Sequence, residues 1–142
     1  MQINLMTDCA LRMLIFLAIK RGVANSRKLA EQLDIPQKNI LEIGRKLKAE
    51  NYIDATVGPY GGYTLNKTPD TILLYDIVCL FEKININCHS ESEKGKQIEI
   101  DATVNGLYSE LQDMIITTLK SKTLADIVPE QQTVRKGVRF ET

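Results

Sequence analysis

The residues best placed to do chemistry are Gln37, Lys38 and Asn39, followed at helical spacing by Arg45, Lys46 and Lys48. Two amides and an amine within one helical turn can hydrogen-bond the rims of nucleobases, an amide pairing with adenine and an ammonium with guanine. The three later cations suit phosphate oxygens, which hold a polyanion in place without reading it. On a helix from Pro36 to Glu50, Ile40, Ile43 and Leu47 share one side, while Gln37, Lys38, Leu41, Glu42, Arg45 and Lys48 lie opposite. The bland reading is a charged face in solvent. The flanking elements weigh against it.

Upstream, residues 8–20 (DCALRMLIFLAIK) are apolar on nearly every side, which predicts a helix inside the fold, stopped by Gly22. Asn25 or Ser26 caps a short helix, RKLAEQL, with Leu29, Ala30 and Leu33 inward. Asp34-Ile35-Pro36 interrupts it, and Pro36 suits the first turn of the next helix, where its missing N–H costs nothing. Downstream, Tyr52–Val57 and Tyr63–Leu65 are β-rich runs around a glycine-rich tip, Gly58-Pro59-Tyr60-Gly61-Gly62. Helices with a tight break before the third, then a hairpin, follow the order of a winged helix-turn-helix. The expected class is mostly α with a small β-hairpin. Its third helix would enter a major groove. Gln37, Lys38 and Asn39 would face bases, Arg45, Lys46 and Lys48 phosphates, and Tyr60, Gly61 and Gly62 would bring the wing to the DNA backbone.

The second half has a different character. Residues 71–83 predict a helix with Leu74, Ile77, Val78 and Phe81 on one face, and residues 85–97 are polar and irregular. From Asp101 to Leu119 the positions Val104, Leu107, Leu111, Ile115 and Leu119 form an apolar stripe. That stripe exceeds what a small winged domain can cover, so it is the expected seam of a homodimer; packing within one chain is the alternative. Thr123–Val128 starts another turn. The resulting plan is a winged domain at 1–83, a loop at sensor position at 84–100, a dimerisation helix with its following turn at 101–128 and a flexible tail at 129–142.

Charge follows the same division. Residues 1–67 carry ten Lys/Arg against six Asp/Glu, whereas residues 68–130 carry five against eleven. A net charge of zero therefore conceals a first half suited to a polyanion and a second half kept away from one. No apolar run approaches membrane-spanning length, no signal-peptide pattern opens the chain, and three widely spaced cysteines form no disulfide framework. These features predict a cytoplasmic protein. An enzyme lacks support: there is no phosphate-binding glycine loop followed by Lys, no zinc-ligand spacing, and a single histidine.

Asp8-Cys9-Ala10-Leu11-Arg12, the Gly58-Pro59-Tyr60-Gly61-Gly62-Tyr63 segment and Thr123-Leu124-Ala125-Asp126 resemble the Rrf-two family of bacterial regulators. The resemblance spans residues 1–128. It implies a DNA-binding transcriptional regulator, a repressor in the main, that grips a partly palindromic double-stranded operator as a homodimer. Many relatives carry three loop cysteines that ligate an iron–sulfur cluster. Here the loop has one, Cys88, beside His89. Asp8 matches an aspartate that serves as a cluster ligand in nitric-oxide-sensing relatives, though it also suits the start of a helix. Ranked in order, the expectations are no cofactor, then a thiol sensor at Cys88, then a metal or cluster site from Asp8, Cys88 and His89. Cys79 is expected to be packed as a small apolar residue. Relatives often place an arginine before the Gly-Pro pair where this chain has Val57, leaving Tyr60 and Lys67 to supply contacts there. A winged helix that binds protein rather than DNA is the rival reading. The basic face of residues 37–48 discriminates against it.

Overall fold

A computed structural model describes residues 3–85 and 98–129. Helix α1 spans Leu5–Lys20 and starts three residues before the expected Asp8, because Asn4 caps it and accepts from the Thr7 N–H at 2.9 Å. The Asn4 amide also donates to the Phe81 carbonyl at 2.8 Å, which ties the helix start to a segment far along the chain. Cys9, Ala10, Met13, Leu14 and Leu17 are buried, while Leu11, Ile15 and Phe16 are only partly covered. The all-round burial expected for this helix is thus incomplete within one chain.

Helix α2 (Ser26–Leu33) is capped by Asn25, whose Oδ1 accepts from the Lys28 N–H at 2.7 Å. Asp34 ends it in the left-handed region at φ 56°, and Ile35 turns into the core. Pro36 lies just outside α3 (Gln37–Ala49) as its cap rather than in its first turn, and its carbonyl accepts from Asn39 and Ile40. Strands β1 (Ile53–Thr56) and β2 (Gly62–Leu65) pair antiparallel, Ile53 with Leu65 and Thr56 with Gly62. Gly62 therefore closes the ladder instead of belonging to the tip. Ala24 adds a one-residue third strand, exchanging both backbone hydrogen bonds with Tyr63 at 3.0 and 2.8 Å.

Helix α4 (Leu74–Phe81) begins three residues later than expected, after a 3-10 turn at Pro69–Thr71. The cause is tertiary. Leu73 bridges to Thr123, with the Leu74 N–H donating to the Lys122 carbonyl at 3.0 Å and the Leu124 N–H to the Ile72 carbonyl at 2.8 Å. That pairing holds Ile72 and Leu73 extended. Helix α5 (Ile98–Lys120) is followed by α6 (Leu124–Ile127), which is closed by a Thr123/Asp126 capping box. The core gathers Met13, Leu14, Leu29, Ile40, Ile43, Leu47, Ile53, Ile72, Ile77 and Leu124. Leu124 arrives from beyond α5, so residues grouped with the long helix on sequence in fact complete the core of the winged body. No described helix is long and apolar enough to cross a membrane.

Candidate nucleic-acid interface

Ile40, Ile43, Gly44 and Leu47 anchor α3 to the core. Opposite them Lys38, Leu41, Glu42, Arg45 and Lys48 are exposed, as are Gln37 and Lys46, with Asn39 partly covered. Two side chains are already engaged. The Gln37 amide donates to Ser26 Oγ at 2.9 Å, and the Lys46 ammonium stands 5.5 Å from the centre of the Phe81 ring on α4. The outer cations of α3 are then Lys38, Arg45 and Lys48, with Glu42 set among them.

The hairpin packs on α3, with Tyr63 of β2 against Gly44. Its tip is a tight turn in which the Gly61 N–H donates to the Gly58 carbonyl at 3.0 Å, with Gly58 at φ 110°. A Cβ on Gly61 would stand 2.2 Å from the Thr56 carbonyl oxygen, so only glycine fits. Tyr60 is 93% exposed and Val57 fully so. Gly62 serves a different purpose from the tip glycines: a Cβ there would stand 2.6 Å from the Ala24 carbonyl oxygen, and its bareness lets the hairpin close on the segment before α2. Lys67 stands over the Tyr52 ring at 4.5 Å.

Gly44 escaped the sequence reading. In mid-helix a glycine costs about 1 kcal/mol against alanine, which makes it a sign of close approach. A Cβ there would stand 2.8 Å from the Tyr63 ring. Tyr63 of β2 is thus seated on α3, and it sets the wing against the helix. Burial pushes its phenol pKa up, while the charge of Arg45 pulls the other way.

The residues considered for sensing are dispersed. Asp8 accepts from Arg12 Nε at 2.8 Å on the surface of α1, so it answers a side chain as well as the helix terminus. Cys9 is buried, and burial, then the charge of Asp8, raises its thiol pKa while Arg12 lowers it. Cys79 is exposed, contrary to expectation. One residue beyond the inward Val78 is a turn of 100°, which carries it to the outer side of α4. There its thiol pushes the phenol pKa of Tyr75 up, and Lys120 stands over the Tyr75 ring at 4.7 Å. Cys88, His89 and the tail from 130 lie outside the described residues. Among the described residues no three His, Cys, Asp or Glu side chains gather as a metal site. The chain has three cysteines, and the two described ones sit apart from any loop, Cys9 buried on α1 and Cys79 exposed on α4, so the set does not match a cluster held by three loop cysteines.

Along α5 no side chain is fully buried. Leu107 and Leu111 are 53% and 41% exposed, whereas Val104, Ile115 and Leu119 are half-buried. Met114, at 58%, extends the exposed patch and was absent from the expected stripe.

The profile of the Rrf2 family, iron-dependent transcriptional regulators, matches residues 3–130. The structure of CymR (YrzC), the global cysteine regulator of B. subtilis, has a TM-score of 0.74 at 22% identity, with 90% of this chain and 96% of that one covered. T. potens IscR follows at 0.73 and 17%, covering 98% and 93%. The oxidized form of Staphylococcus aureus CymR gives 0.73 and 20%, covering 92% and 98%. These three share the fold of this chain. Together with a profile match over nearly the whole length, that fold makes the chain a member of the Rrf2 family of DNA-binding transcriptional regulators.

Proposed function

We propose that this regulator works as a homodimeric repressor on a partly palindromic operator, with one α3 in the major groove of each half-site. The observation that carries this reading is the outer face of α3. Lys38, Arg45 and Lys48 are exposed there, and the Tyr63 contact at Gly44 holds the wing alongside. Phosphates bordering the groove would meet Arg45 and Lys48, the Gly58–Gly61 turn would let the wing backbone approach the duplex, and Lys38 and Asn39 would face base edges. The exposed Leu107, Leu111 and Met114 support α5 as the seam between two copies. The chain acts without an iron–sulfur cluster in this reading, on the ground of its donor set, and Cys88 is the thiol proposed to sense oxidants in the cytoplasm.

Hydroxyl-radical footprinting on a duplex selected from a random library tests the proposal. The expected pattern is two protected patches, centred one helical turn or a whole multiple of it apart. A single patch would rule out the dimeric grip. No protection of any duplex would transfer the basic face to a protein partner.

A further inference from the structure

Building on α3 as the base-reading helix, we propose that Ser26 is a positioning residue that holds the Gln37 amide in the orientation that reads one base pair per half-site. Ser26 opens α2 and Gln37 opens α3, so the bond from Gln37 Nε2 to Ser26 Oγ, 2.9 Å long, spans the break of the helix-turn-helix. An exposed glutamine otherwise samples many rotamers, and these must be frozen when it grips a base. Here one N–H is already committed. What remains is one N–H and the carbonyl oxygen, the pair that adenine N7 and its amino group require.

The anchor is itself held. Asn25 caps the same turn through the Lys28 N–H at 2.7 Å, and Ala24 is bridged to Tyr63 of β2. The start of α2 is thereby fixed to the hairpin, and the hairpin to α3 through Gly44. Accepting from Gln37 leaves the Ser26 hydroxyl its own proton to donate to water.

The test uses the full chain and duplexes selected from a random library, followed by a panel of single-base-pair changes. The parent should favour A·T at one position of each half-site by about 5- to 150-fold, the range of a bidentate side-chain–base pair. Ser26→Ala should cut that preference about fivefold, the effect of one lost hydrogen bond, while affinity for random-sequence duplex and its salt slope stay put. Ser26→Thr should restore it. Gln37→Ala should flatten the same position, and adding Ser26→Ala to it should change nothing more. The proposal fails if Ser26→Ala keeps the full preference at a position that Gln37→Ala flattens. It fails equally if Ser26→Ala weakens binding to every duplex alike, for Ser26 would then be only a structural residue. A parent that selects no sequence would overturn the base-reading role of α3, and with it this proposal.

Discussion

The winged body and α5 differ in how completely each satisfies itself. In the body, ten large apolar side chains from α1, α2, α3, β1, the Ile72 segment, α4 and α6 are essentially sealed from water. In α5, twenty-three residues long, none is buried. The body has the core of a domain that holds its shape alone. The long helix has the length and apolar content of a packed element but lacks most of a partner among the described residues.

Core truncation should have the largest effect on the body side of this contrast. Leu47→Ala should lower stability by about 2–5 kcal/mol, seen as a lower denaturant midpoint, because Leu47 is fully buried and a cavity would remain. A change under about 0.5 kcal/mol, the range of ordinary surface positions, would mean that the core is loose there. On the other side, Leu111→Asp should leave the body folded and shift sedimentation to monomers. Binding to a duplex with two half-sites should then weaken about 100-fold or more, since the second grip is no longer tethered to the first. A Leu111→Asp protein that sediments as a dimer would place this side chain inside one subunit and erase the contrast.

Gly44→Ala sharpens the comparison within the body. Alanine should gain about 1 kcal/mol in helix propensity, against about 1–3 kcal/mol for crowding the Tyr63 ring. Stability should therefore fall by only about 1 kcal/mol in thermal unfolding. The wing should move, and DNA affinity should drop more than stability does. Unchanged DNA affinity would separate the wing's position from the Tyr63 contact.

The smallest effects concern the two described cysteines. Exposed Cys79 should react with an alkylating probe within the native state, and buried Cys9 only as fast as the protein opens. Equal rates would contradict their burial. Cys9 also gives an alkaline signature. Folding raises its thiol pKa above the ordinary 9.0, so the unfolded chain releases the proton first. Its contribution to stability is whole below that value and is lost as pH rises through the folded one. A Cys9→Ala variant should lose less stability than the parent over that alkaline interval.

Much of this was legible in the residues. The stripe at Ile40, Ile43 and Leu47 and the glycine-rich tip placed α3 and the wing, because local periodicity and turn chemistry decide both. What escaped depends on long-range pairing. Nothing near Thr71 announces that Thr123 will hold Leu73 extended and delay α4. Nothing near Leu124 says that it returns to the body's core. At the site, the exposed face of α3 was readable from helical geometry, but not that Gln37 would meet Ser26 or that Lys46 would settle on Phe81. Gly44 did carry a signal, a glycine inside an apolar stripe, that could have located the wing contact. Cys79 was misplaced by one helical step.

The measurement that tests the account most directly is a salt titration of binding to random-sequence duplex DNA by the parent and by the Arg45→Ala/Lys48→Ala double variant. If α3 meets the phosphates with these two side chains, log affinity falls linearly with log salt in both proteins. The variant binds more weakly and its slope is shallower by about 1.8, the equivalent of two phosphate contacts. Equal affinities and equal slopes in the two proteins would contradict the assignment of α3 as the DNA-binding face.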